Sequence, residues 1–136
     1  MNTVTRYIVY ACVAIAGFFS FVPSPVHAMD GFVKVTSPNG GETLKVGDTY
    51  TITWDTSPNI DKVAIGYSFG PGSLNWIQFD GPNTKSYSWK VNVGNTTNTK
   101  IKIEVIAYET GKGSVTDQSD DYVNLDGVHQ IPTSAP

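Results

Sequence analysis

The chain reads as an all-β protein, a single antiparallel β-sandwich of about seven strands. Three observations point there. Short runs that alternate apolar and polar residues recur across residues 32–125, and clusters of Gly, Pro, Asn and Asp break them about every 8–15 residues. No window beyond residue 28 places apolar residues at the spacing of three and four that a helix requires.

The first expected strand, Phe32–Thr36, runs into Ser37-Pro38-Asn39-Gly40-Gly41-Glu42, where Asn39-Gly40-Gly41 tolerates positive φ. In the second, Thr49–Asp55, the residues Tyr50, Ile52 and Trp54 face one way and Thr49, Thr51 and Thr53 the other. This period of two marks a strand with one buried and one wet face. Ser57-Pro58-Asn59 ends that run, and Gly70-Pro71-Gly72 ends a third strand, Lys62–Phe69. A fourth, Asn75–Asp80, stops at Gly81-Pro82-Asn83; a fifth spans Ser86–Val91. The sixth, Lys100–Tyr108, sets Ile101, Ile103 and Val105 against Lys100, Lys102 and Glu104 before Gly111-Lys112-Gly113. Asp121–Leu125 is the seventh. β-Branched and aromatic residues dominate all of these, as a pleated half-buried surface favours. Trp54 and Trp89 are expected in the core, while Trp76 lies near a loop end where burial and exposure are both open.

Residues 1–28 stand apart. Arg6 precedes an apolar run from Ile8 to Val22, then Pro23-Ser24-Pro25 and the small-residue pattern of Val26-His27-Ala28. That is the layout of a secretory signal peptide cleaved after Ala28, with a run too short for the ~20 residues of a spanning helix. No membrane span is expected after cleavage. The chain's one cysteine, Cys12, falls in this segment, so the domain expected over residues 29–126 must hold together without a disulfide. Residues 127–136 read as a polar, disordered tail with no apolar stretch for a GPI anchor. Beyond residue 28 there are eight lysines and no arginine against twelve carboxylates. That balance argues against nucleic acid, which needs a basic patch, and against anionic membrane surfaces.

Four landmarks carry a resemblance: Ser37 to Glu42; Gly47 with Tyr50-Thr51-Ile52-Thr53-Trp54; Ser86-Tyr87-Ser88-Trp89-Lys90-Val91; and Asp117-Gln118-Ser119-Asp120-Asp121-Tyr122. In their order and spacing, Val35 to Leu125 resembles the Ig-like N-terminal domain of the yeast cell-wall glucan-assembly proteins. The same module is seen in Ser/Thr-rich GPI-anchored surface proteins, and similar ones recur in bacterial and archaeal surface proteins. The resemblance implies a sandwich of Ig or fibronectin type acting in extracellular binding, spacing or wall association, with no catalytic residues.

Catalytic chemistry lacks parts. Beyond residue 28 there is one histidine, His129, in the expected tail, and no cysteine, so neither a held nucleophile–base pair nor an ordinary zinc site is available. Glu42, Glu104 and Glu109 fall at a turn, in mid-strand and at a strand end, which does not suggest the two carboxylates of a glycosidase. No cofactor is expected. Asp117, Asp120 and Asp121 form the densest acidic cluster; hard oxygen ligands in a loop can hold calcium, although solvated turn acids are commoner. Asn95-Thr96-Thr97 is an N-glycosylation sequon on an expected loop. The expected partner is an extracellular protein or a polysaccharide. For the latter, Tyr67, Phe69, Trp76 and Tyr122 offer rings to stack on sugars, with Asn75, Gln78 and Asn83 to bond hydroxyls. The competing reading of those rings is core packing.

Overall fold

The computed structural model describes residues 30–128. The signal-peptide reading of residues 1–28 lies outside the described residues, as does the tail from 129 onward. Nine strands form: β1 (Val33–Ser37), β2 (Thr43–Lys45), β3 (Thr49–Thr56), β4 (Lys62–Ser68), β5 (Leu74–Pro82), β6 (Ser86–Lys90), β7 (Lys100–Glu109), β8 (Gly113–Gln118) and β9 (Val123–Asp126). β1, β3 and β6 make a three-stranded sheet, and the larger sheet runs β2-β9-β7-β4-β5. β8 also pairs with β7 and lies end to end with β9 along the edge of β7 that β4 leaves free.

The sandwich matches the expectation, with two strands more than the seven read from pattern. β2 has one apolar residue, Leu44, and pairs in parallel with β9, a distant match that local alternation does not reveal. All other pairings are antiparallel. β8 also has one apolar residue, Val115, and forms as the return arm of a hairpin turned at Gly111, where φ is +78°. Its Lys112 ammonium bonds Glu109 at 2.6 Å, and that contact first, with Asn59, holds the Glu109 carboxyl below its ordinary value.

The alternation in β3 and β7 is as read: Ile52, Trp54, Ile101, Ile103 and Val105 are buried, while Thr49, Thr51 and Lys100 are exposed. Each of these apolar side chains stabilises by about 1.5–3 kcal/mol on leaving water. Trp54 and Trp89 both lie in the core. The indole Nε1 of Trp54 donates to Asn83 Oδ1 at 2.9 Å, and the Asn83 amide donates to Thr56 Oγ1 and the Ile60 carbonyl. Asn83 is thus a core hub, because a buried indole N–H without an acceptor costs about 1–3 kcal/mol. Val128 packs against the rim of this core, two residues beyond the expected domain end.

Between β1 and β2 the chain leaves one sheet and joins the other, and the Ser37–Glu42 landmark makes the crossing. The Glu42 carboxylate accepts from the backbone N–H groups of Asn39 (2.9 Å) and Gly40 (2.7 Å), closing the turn on itself. The turn then docks on Asp120–Asn124. Asn39 exchanges side-chain bonds with Asp120, at 2.7 Å to Oδ2 and 2.9 Å from its N–H. Backbone bonds run from Gly41 to Tyr122, from Asp121 to Asn39 and from Asn124 to Glu42. Gly40, at φ +131°, permits this approach: a Cβ there would stand 2.6 Å from that of Asp121.

The acidic residues of the late landmark are employed within the same closure. Asp117 on β8 faces inward and accepts the Val35 N–H at 2.8 Å, bridging the large sheet to the edge of the small one. Asp120 holds Asn39, and Asp121 Oδ1 accepts the N–H of Tyr122. Among the described residues, no three acidic, histidine or cysteine side chains converge as a metal site. The three carboxylates point at three different donors, so calcium has no ready cage here.

Burial alone would raise the Glu42 carboxyl above its ordinary 4.5, but the N–H donors of Asn39, Glu42 and Gly40 together hold it below. A folded value below the unfolded one contributes stability in full above about pH 4.5, lost as pH falls through the folded value. Glu42→Gln is expected to cost about 1 kcal/mol at pH 7, allowing for solvent screening of this exposed group. The variant's melting temperature is also expected to fall less than the wild type's between pH 7 and pH 3, read by circular dichroism. In the same assay, millimolar calcium is expected to leave the wild-type melting temperature unchanged; a rise of several degrees would show a site assembled from these acids.

Candidate functional site

Residues paired across antiparallel strands share a face, so the register defines the outer surface of the large sheet. One row across it reads Gln118, Glu104, Gly66, Trp76; the next reads Lys102, Ser68, Leu74. After Lys62 at its start, the middle strand β4 offers only Ala64, Gly66 and Ser68 to this face. Leu74 leans over Gly66, where an added Cβ would meet Leu74 Cδ1 at 2.6 Å. Small residues at the centre and large ones at the sides leave a trough of about 520 Å³, lined by Ser68, Leu74, Lys102, Glu104, Gln118 and Tyr122 and by the 70–73 loop. Ser73 fixes that loop, its hydroxyl donating to the Gly70 carbonyl and accepting the Phe69 N–H.

The aromatic residues of interest divide. Tyr67 is 7% exposed, Trp76 48%, Phe79 70% and Tyr122 37%. Tyr67 stacks on Trp89 at 5.7 Å between the sheets, and burial pushes its phenol up from the ordinary value. Phe69 lies edge-on to Tyr67 and packs against the core. Position in β4 and just beyond it turns both inward, Tyr67 buried and Phe69 half-buried, whereas the sequence reading offers them as rings for a ligand. Trp76 and Tyr122 do reach the surface. Trp76 meets Phe79 edge to face at 5.3 Å.

That pairing depends on two irregularities in β5. Ile77 has no partner on β4, and Phe79 with Asp80 opposes Ala64 alone. The extra residue at Ile77, which packs toward the core, resets the alternation so that Trp76 and Phe79 meet three residues apart. Asp80 sits at φ +52° and bonds Lys62 Nζ at 2.9 Å across the second bulge. A period-two reading gives no sign of this, and so Phe79 was not among the expected site residues.

The polar partners differ from expectation as well. Asn83 serves Trp54, Gln78 fills the space above Gly81, and Asn75 donates to the Ser73 carbonyl. In their place the register brings Glu104 and Gln118 together, with Gln118 Nε2 donating to Glu104 Oε2 at 2.6 Å. In the sequence Glu104 reads only as a mid-strand acid and Gln118 only as part of the late landmark. Glu104 and Glu109 are five residues apart on β7, about 17 Å along a strand and on opposite faces. This exceeds the ~5–9.5 Å that separates glycosidase carboxylates. Asn95 is exposed in the loop before β7.

Among the described residues, no helix is long and apolar enough to cross a membrane. No family model matches the chain, and no curated protein matches it either. Several solved structures are similar, two of them as follows. One is an engineered protein at 15% identity and a TM-score of 0.48, over 71% of this chain and 20% of that one. This chain therefore spans about a fifth of that protein's length. The other is a structure of the Clostridium thermocellum CbhA fibronectin(III)-like modules, at 14% identity and a TM-score of 0.51, over 73% of this chain and all of that one. The chain shares the fold of a fibronectin(III)-like module.

Proposed function

We propose that this protein is a non-catalytic, secreted or cell-surface Ig-like module that associates with a wall or matrix by holding polysaccharide on the outer face of its large sheet. The observation that carries this reading is the exposed Trp76–Phe79 pair beside a polar trough. Two large rings in water are a cost to a monomer unless something covers them. Pyranose rings present flat arrays of C–H groups that stack on an indole or phenyl face. Covering each ring in this way contributes about 1–3 kcal/mol by the area removed from water. Glu104, Gln118 and Tyr122 then stand where hydroxyls need acceptors and donors.

Export through residues 1–28 and kinship with the glucan-assembly modules belong to the same proposal. They rest on the signal-peptide layout and the four landmarks. Strand pairing with a protein partner is the other use an exposed edge invites, since β5 ends the large sheet. The two bulges, the charge of Asp80 and the missing N–H of Pro82 blunt that edge, and the sugar-binding reading is preferred for that reason.

Retention on insoluble β-glucan, chitin and peptidoglycan tests the proposal. The wild type is expected to be retained on at least one of them, and Trp76→Ala to lose about tenfold or more in affinity. Stability of that variant should stay within about 1 kcal/mol, since the side chain is half out of the fold. Equal retention of wild type and Trp76→Ala, or no retention of either, would contradict it.

A further inference from the structure

Resting on that reading, we infer that the trough takes an uncharged, hydroxyl-rich glycan and rejects acidic ones. The argument is from charge. Lys102 is the one cation in the trough lining, and it is already committed. Its ammonium donates to the carbonyls of Ser119 (2.8 Å) and Asp120 (2.9 Å) and lies 5.3 Å from the centre of the Tyr122 ring. Two of its three donors are thus spent on the protein, and the ammonium is pinned at the break between β8 and β9. Turning it toward a sugar carboxylate would undo the two bonds that hold the chain there.

Glu104 is in the opposite position. Gln118 occupies Oε2, and among the described residues no donor reaches Oε1. One amide N–H of Gln118 is spent on Glu104, and a second remains. A free carboxylate oxygen beside a free amide N–H matches a pair of neighbouring sugar hydroxyls, one donating and one accepting. A uronic acid or sulfated sugar laid across the same row would bring its charge directly against Glu104, while the Lys102 ammonium stays pinned in the next row. The surrounding surface reinforces this, since the Asp120 carboxylate stands on the adjoining turn.

Titration calorimetry with a β-linked glucose hexasaccharide and a galacturonate hexasaccharide tests the assignment. The wild type is expected to bind the glucose chain at least about tenfold tighter at low salt, the size of one like-charge contact at a partly screened surface. In Glu104→Gln, glucose binding should weaken about threefold to tenfold, because a charge-assisted acceptor is lost. Galacturonate binding should tighten, so the ratio falls toward one. Galacturonate bound as tightly as glucose by the wild type overturns the charge assignment and leaves the polysaccharide reading standing. A ratio unchanged in Glu104→Gln overturns the role given to Glu104. Binding of neither chain, together with no retention on insoluble polysaccharide, overturns both readings.

Discussion

The docking of the Asn39–Glu42 turn onto Asp120–Asn124 is the interaction on which the other features depend. A sandwich without a disulfide has to close its open side by hydrogen bonding and packing, and here the first and last segments of the fold close it together. Glu42 shapes the turn, Asn39 reads both the N–H and the carboxylate of Asp120, and Gly40 lets the two backbones approach. The result is that the chain can switch sheets between β1 and β2 while β2 adds in parallel to β9. The amides of Gly41, Asp121 and Asn124 all donate across this crossing.

The same closure shapes the candidate site. With Asp120 and Asp121 held by the turn, the last strand cannot continue straight from β8 into β9. Ser119 fills the break, bonding the backbone of Ile103 through both its N–H and its hydroxyl. Lys102 reaches over to the carbonyls of Ser119 and Asp120, which pin the trough's one lining cation to the break between β8 and β9. Tyr122 emerges at the end of this break and forms one wall of the trough. The site is therefore a consequence of how the sandwich is closed on one side and of how β5 is bulged on the other.

Much of the fold is legible in the sequence, for a physical reason. The strands with one apolar face, such as Thr49–Thr56 and Lys100–Glu109, carry their burial in their alternation, and Trp54 and Trp89 follow it. β2 and β8 carry one apolar residue each and owe their existence to distant or hairpin pairing, which no local pattern records. The site is less legible still. Whether Tyr67 points inward and Trp76 outward depends on strand parity and on the extra residue at Ile77. Glu104 and Gln118 meet through the β7–β8 register, fourteen residues apart in the chain. Asn83, by contrast, looks like an ordinary turn residue and proves to be a ligand for the buried indole.

Native-state hydrogen exchange on the wild type and on Gly40→Ala, followed amide by amide, tests most directly the claim that this closure holds the fold together. In the wild type, the amides of Gly41, Asp121 and Asn124 should exchange only through global unfolding, as slowly as those of Ile103 and Val105. In Gly40→Ala, the added methyl group should accelerate all five together by at least about tenfold, because the closure and the core are then one cooperative unit. Rapid exchange of Gly41, Asp121 and Asn124 in the wild type, with Ile103 and Val105 still protected, would contradict the claim by showing that the turn frays without loosening the sandwich.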